Sequence, residues 1–135
     1  MSFQNYKKKK GYRGYIFSRK IDGNFIPQRV QNLVIKDFAT RKGLFFKLSA
    51  TEYKMENCYL MLKSVLKNIK SIDGVIFYSV FMLPEKNEER KKILTFFIKN
   101  KKKIYFALEE FSLVNLGDLR KVNEIFKIKK NTSNS

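Results

Sequence analysis

The chain contains no histidine. Ser–His and Cys–His nucleophilic pairs are therefore excluded, because neither has its general base. Histidine-rich metal sites go with them. A single cysteine, Cys58, excludes cysteine-rich zinc sites and any internal disulfide. One lone thiol fits a reducing, cytoplasmic setting. Neither GxGxxG nor a GxxxxGK run followed by Ser or Thr occurs, so the usual dinucleotide and P-loop phosphate cradles are missing. No cofactor and no metal is expected. No stretch approaches the roughly 20 apolar residues of a membrane span. The basic N-terminal tract has no apolar segment behind it and does not read as a secretory signal.

Acidic residues are scarce as well: 12 stand against 29 basic ones, for a formal net charge of +17. Such an excess is a footprint for nucleic acid, acidic lipid or a phosphorylated ligand. The basic set is 23 lysines and only six arginines. Readers of nucleic acid lean on Arg for its planar fork. A Lys-rich, Ile-, Phe- and Asn-rich chain instead fits composition bias.

What is present is a core. Of the 135 residues, 44% are hydrophobic and 15% aromatic, enough for one domain and too few residues for two. Residues 1–10 and 129–135 lack docking patterns and are expected to be disordered tails around a domain at 11–128. "YRGYIFS" (12–18) reads as a strand. Pro27 opens a helix with Val30, Leu33, Val34 and Phe38 at helical spacing, and Gly43 ends it. "LFFKLS" (44–49) is a second strand, and "ATEYKMENC" a loop. Leu60, Leu62, Val65, Leu66 and Ile69 mark a second helix. "GVIFYSVF" (74–81) has the continuous apolar character of a buried central strand. Residues 88–99 form a third helix, "KIYFALE" (103–109) a fourth strand, and 117–126 a short last helix. The alternation predicts an α/β fold in three layers, with about four mostly parallel strands, helices on both faces and a flavodoxin-like order 2-1-3-4.

Ligands of such sheets bind beyond the carboxyl ends of the strands. The side chains expected there are Ser18 and Arg19 after strand one, and Ser49, Thr51, Glu52 and Tyr53 after strand two. Ser79 ends strand three, and Glu109 follows strand four. Gln28, Gln31 and Asn32 open the first helix. Tyr15 stands on the strand as a core or rim aromatic. Each also has a plainer role. Serines cap turns, and Gln31 and Asn32 can pin the strand–helix connection through backbone groups. Glu109 and Glu110 point opposite ways, so only one can serve a site. Cys58 opens a helix, but with no base beside it an inert thiol is expected.

The stretches "GYRGYIFSR", "PQRVQNLVIKDF", "LSATEY" and "DGVIFYSVFMLPE", with "ALE" near the end, together resemble the sporadic carbohydrate cluster protein family. The resemblance spans about residues 11–126. It implies a small bacterial protein encoded in a cassette for surface or exported carbohydrate, and carries no mechanism. The order of elements also resembles the catalytic domain of serine recombinases, the resolvases and invertases. That likeness implies the fold and would set Ser18 at the nucleophile position. Ile16, however, stands where that family has a strand Arg, and "YSVFMLPE" has neither Arg of its phosphate clamp.

Three functions follow as expectations. The first is a carbohydrate-pathway protein holding a sugar, nucleotide-sugar or sugar-phosphate. Ser18, Glu52 and Glu109 would be its reactive groups, and Tyr15, Arg19, Gln28, Gln31, Asn32, Ser49, Thr51, Tyr53 and Ser79 its binding groups. The second is a nucleic-acid-binding protein, either a degenerate recombinase or a regulator of the cassette, using Lys7–Lys10 and the 99–103 cluster on phosphates. The third is a non-catalytic accessory subunit, with a homodimer as one form.

Overall fold

The computed structural model describes residues 9–133. Among these residues five strands run Tyr12–Phe17 (β1), Phe46–Glu52 (β2), Gly74–Phe77 (β3), Lys103–Phe106 (β4) and Phe111–Leu113 (β5). Four helices run Gln28–Lys42 (α1), Leu60–Lys67 (α2), Asn87–Lys99 (α3) and Asp118–Ser133 (α4). The sheet order is β2-β1-β3-β4-β5. The first four strands are parallel, and β5 returns antiparallel to β4 with Ile104 opposite Leu113. The expected α/β fold and the order of its first four strands are present. The fifth strand was not expected. It is three residues long, and the tight turn at Ala107–Glu110 that makes it places Glu110 at φ 52°.

The connection β1–α1–β2 runs one way across the sheet, and β2–α2–β3 and β3–α3–β4 run the other. Right-handed crossovers then put α1 on one face and α2 and α3 on the opposite one. Ring contacts agree. On the α1 face Phe38 packs on Tyr105, which meets Tyr12 edge-on at 5.6 Å. On the other face a belt of rings runs Phe17, Tyr15, Phe77, Phe106, Phe111 across four strands. β3 is buried along its whole length, as its apolar run predicts.

Several boundaries differ from expectation, each for a local reason. β2 continues through Ala50, Thr51 and Glu52, because these pair with Tyr15, Ile16 and Phe17. β3 stops at Phe77, and Val80–Met82 form a 3-10 turn started by the Ser79 hydroxyl, which accepts from Phe81 N. α1 buries Gln31, Ile35, Phe38 and Ala39, while Val30 and Leu33 are 42% and 60% exposed. The true stripe is rotated because a polar residue, Gln31, occupies its first position. α4 extends to Ser133 rather than ending near 126, so the expected tail at 129–135 is helical through residue 133. Of the other expected tail, residues 1–8 lie outside the described residues. Lys10 donates to Lys70 O.

Candidate binding site at the carboxyl edge of the sheet

Strand order reverses between β1 and β3, so their following loops part and leave a crevice. It has a volume of about 630 Å³, within the range of roughly 300–1,000 Å³ usual for small-ligand sites. Its walls come from the loops after β1 (Ser18, Asp22, Phe25), after β2 (Glu56, Asn57, Tyr59) and after β3 (Phe81, Glu85), with Lys129 from α4.

The β1 loop is a built turn rather than a slack one. Ile21 N donates to Asn24 O at 2.8 Å and Asn24 N returns to Ile21 O at 3.0 Å. Asp22 and Gly23 between them have φ of 51° and 78°. Positive φ at both central positions is the mirror-image turn that Asp-Gly favours. It stands Phe25 out into solvent, 63% exposed.

Arg19 fixes the facing loop. From one nitrogen, Nη1, it donates to Tyr53 O, Met55 O and Cys58 O, each at 2.9 Å. Its guanidinium lies 4.0 Å over the Phe17 ring and 5.1 Å from the Tyr59 ring. Ser18 donates its hydroxyl to Glu52 O at 2.9 Å, which leaves the oxygen able to accept.

Of the residues expected at the rim, Ser18 and Arg19 line the crevice. Others hold the scaffold beneath it. Gln31 is fully buried: its Oε1 accepts from Phe17 N at 2.9 Å, and its Nε2 donates to Phe17 O and Ile26 O at 2.8 Å. This is the pin on the strand–helix connection that its position allows. Glu52 is 1% exposed. It accepts from the Tyr15 hydroxyl at 2.7 Å and from Tyr53 N, Met61 N and Leu62 N at 3.0–3.1 Å. A carboxylate so placed satisfies the first amides of α2, where the helix dipole favours an anion. Burial, with Glu52 beside it, pushes the Tyr15 phenol far above its ordinary value. Glu109 accepts from Ser79 Oγ at 2.7 Å and Val80 N at 2.8 Å, tying the turn after β4 to the 3-10 turn. Ser49 donates to Asn32 Oδ1 at 2.6 Å between β2 and α1, away from the crevice. Thr51 sits within β2, Tyr53 is half-exposed beside it, and Gln28 is exposed on the first turn of α1. Cys58 lies within 3.9 Å of Glu52 Oε2.

Sequence reading missed Asp22, Phe25, Glu56 and Asn57. The Asp22-Gly23 pair is a recognised turn signal and could have located the first two. The described lysines of the expected basic clusters lie elsewhere. Lys10 and Lys102 donate to Lys70 O and Ile72 O beside the starts of β1 and β4, at the amino edge of the sheet. Among the described residues no helix is long and apolar enough to cross a membrane, and no three His, Cys, Asp or Glu side chains gather as metal ligands would. No protein-family model matches the chain, and no curated protein matches it either.

Proposed function

We propose that this is a carbohydrate-pathway protein that binds a sugar-derived ligand in the crevice over β1 and β3. The observation that carries the reading is the mixture of groups lining that crevice. Phe25, Tyr59 and Phe81 offer rings, Asp22, Glu56 and Glu85 offer carboxylates, and Ser18 and Asn57 offer a hydroxyl and an amide. Sugar rings present apolar C–H faces to aromatic side chains and hydroxyls to carboxylates and amides. The resemblance to carbohydrate cluster proteins points to the same ligand class. Binding is the better reading than catalysis, because Glu52 and Glu109 spend their oxygens on backbone amides and on the Tyr15 and Ser79 hydroxyls. The test is calorimetric titration with UDP-glucose and with glucose. Saturable binding that Phe25→Ala weakens about tenfold, with folding unchanged, is expected from the loss of an exposed stacking face. Equal binding by Phe25→Ala would remove the crevice from the account.

A further inference from the structure

Arg90 is a buried cation with no counter-charge among the described residues. Arg90, in the first turns of α3, is 3% exposed. Its Nη1 donates to Pro84 O and Glu85 O, both at 3.0 Å. Its Nη2 donates to Asn87 Oδ1 at 3.1 Å and Asn123 Oδ1 at 3.2 Å. Its Nε is buried with no partner at all. Every acceptor it has is a neutral dipole, and the guanidinium lies 4.0 Å over the Phe126 ring. Burying a charge without an opposite one is costly. Here desolvation pulls the Arg90 pKa below its ordinary value.

The gap is on a particular edge. Nε and Nη2 form one side of the guanidinium fork, the side that grips two oxygens of a carboxylate or phosphate at once. On that side Nε is vacant and Nη2 holds only amide oxygens. Arg90 also lines a groove of about 520 Å³ between α3 and α4, together with Glu85, Asn87, Asn123, Lys127 and Lys129. α3 opens beside it at Asn87, and its N-cap residue, Lys86, supplies no side-chain cap. The uncapped amides and the positive end of the helix dipole favour an anion there. Glu85 is the one carboxylate among the described lining residues, 3.7 Å from Lys129 Nζ. Lys129 also pairs with Asp22 at 3.0 Å. Asp118, on the first turn of α4, is engaged with Val114 N and Asn115 N and does not line the groove.

We propose that this groove is a phosphoryl-binding site, with the Nε–Nη2 edge of Arg90 as its fork and Lys127 as its outer charge. A phosphate oxygen takes the place of Asn123 Oδ1 on Nη2, and a second oxygen meets Nε. Asn123 is exposed on α4 and would swing aside. Glu85 and Lys129 line both this groove and the crevice. A phosphorylated sugar would thus have its ring in one and its phosphate in the other. The phosphoryl site itself does not depend on the crevice.

The test uses the whole protein and pyrophosphate, which carries no sugar, at fixed ionic strength. Asn123→Asp places a carboxylate where Oδ1 already lies against Nη2, with no change of shape. It supplies the missing counter-charge from within and excludes an incoming anion. Wild type is expected to bind pyrophosphate saturably, and Asn123→Asp to bind about tenfold or more weakly while melting no lower. UDP-glucose, added to the pyrophosphate-saturated protein, is expected to compete. No saturable binding by wild type overturns the proposal. So does equal binding by Asn123→Asp. So does binding of duplex DNA that pyrophosphate fails to displace from this face, which would make the groove part of a polyanion surface.

Discussion

Tyr15 donates its hydroxyl to Glu52 Oε1 at 2.7 Å across the β1–β2 pair, and both side chains are shut away from water. Through this contact the first strand, the second strand and the start of α2 are held by one carboxylate. Tyr15→Phe removes a single hydrogen bond and should cost about 1–2 kcal/mol of stability. Glu52→Ala strands the tyrosine hydroxyl and the Met61 and Leu62 amides, and should cost about 3–5 kcal/mol. Urea denaturation measures both. The double-mutant cycle of Tyr15→Phe with Glu52→Gln should show a coupling of about 1 kcal/mol. Additive effects would contradict this account of the pair.

Stability should also fall in alkali through the same group. Burial raises the Tyr15 pKa well above its ordinary value, and Tyr12 is pushed up to about 12, again chiefly by burial. The folded state keeps both phenols neutral, while the unfolded chain ionises near 10. Their contribution is thus complete below about pH 10 and is lost as pH rises beyond it. Urea midpoints measured from about pH 9 to about pH 11.5 should decline, and the decline should be shallower in Tyr15→Phe. The difference between the two proteins isolates the contribution of the Tyr15 phenol.

Gln31 carries the connection from β1 to α1. Replacing it by Leu fills the space but leaves Phe17 N, Phe17 O and Ile26 O without partners. The expected cost is about 2–4 kcal/mol. Hydrogen exchange at the Phe17 amide should speed up in the same variant.

Much of the fold was legible because parallel strands buried on both sides read as apolar runs, and β3 and β4 did. Where the reading slipped, a polar residue had taken an apolar place. Gln31, Ile35 and Phe38 share one face of α1, as Arg90, Leu94 and Phe97 share one face of α3. In each case the first member, a polar or charged side chain, lies on the buried stripe. Periodicity counted on apolar residues alone turned α1 toward Val30 and Leu33 and did not single out Arg90. The same spacing, read with buried polar residues allowed, would have flagged both. Of the side chains expected at the carboxyl edge, Ser18 and Arg19 line its crevice while Glu52 and Gln31 turn inward, and no sequence pattern says which way a strand-end side chain will face.

Arg19 should act as a clamp on the loop it bonds. Arg19→Met keeps the packing over Phe17 and removes three hydrogen bonds to the 53–58 loop. Exposed loops freed of such ties are preferred sites of nicking. Trypsin cleavage after Lys54 should accelerate severalfold in the variant while the melting temperature moves little. An unchanged cleavage rate would mean that the loop is held by other contacts.

The central claim is tested most directly by mapping backbone amide chemical shifts while UDP-glucose is titrated into the protein. The account predicts saturable shifts at Ser18, Asp22, Gly23 and Asn57 around the crevice, and at Asn87 and Asn123 where the phosphate would lie. No shifts at the crevice amides, or shifts confined to Lys10, Lys101 and Lys103 at the opposite edge of the sheet, would contradict it.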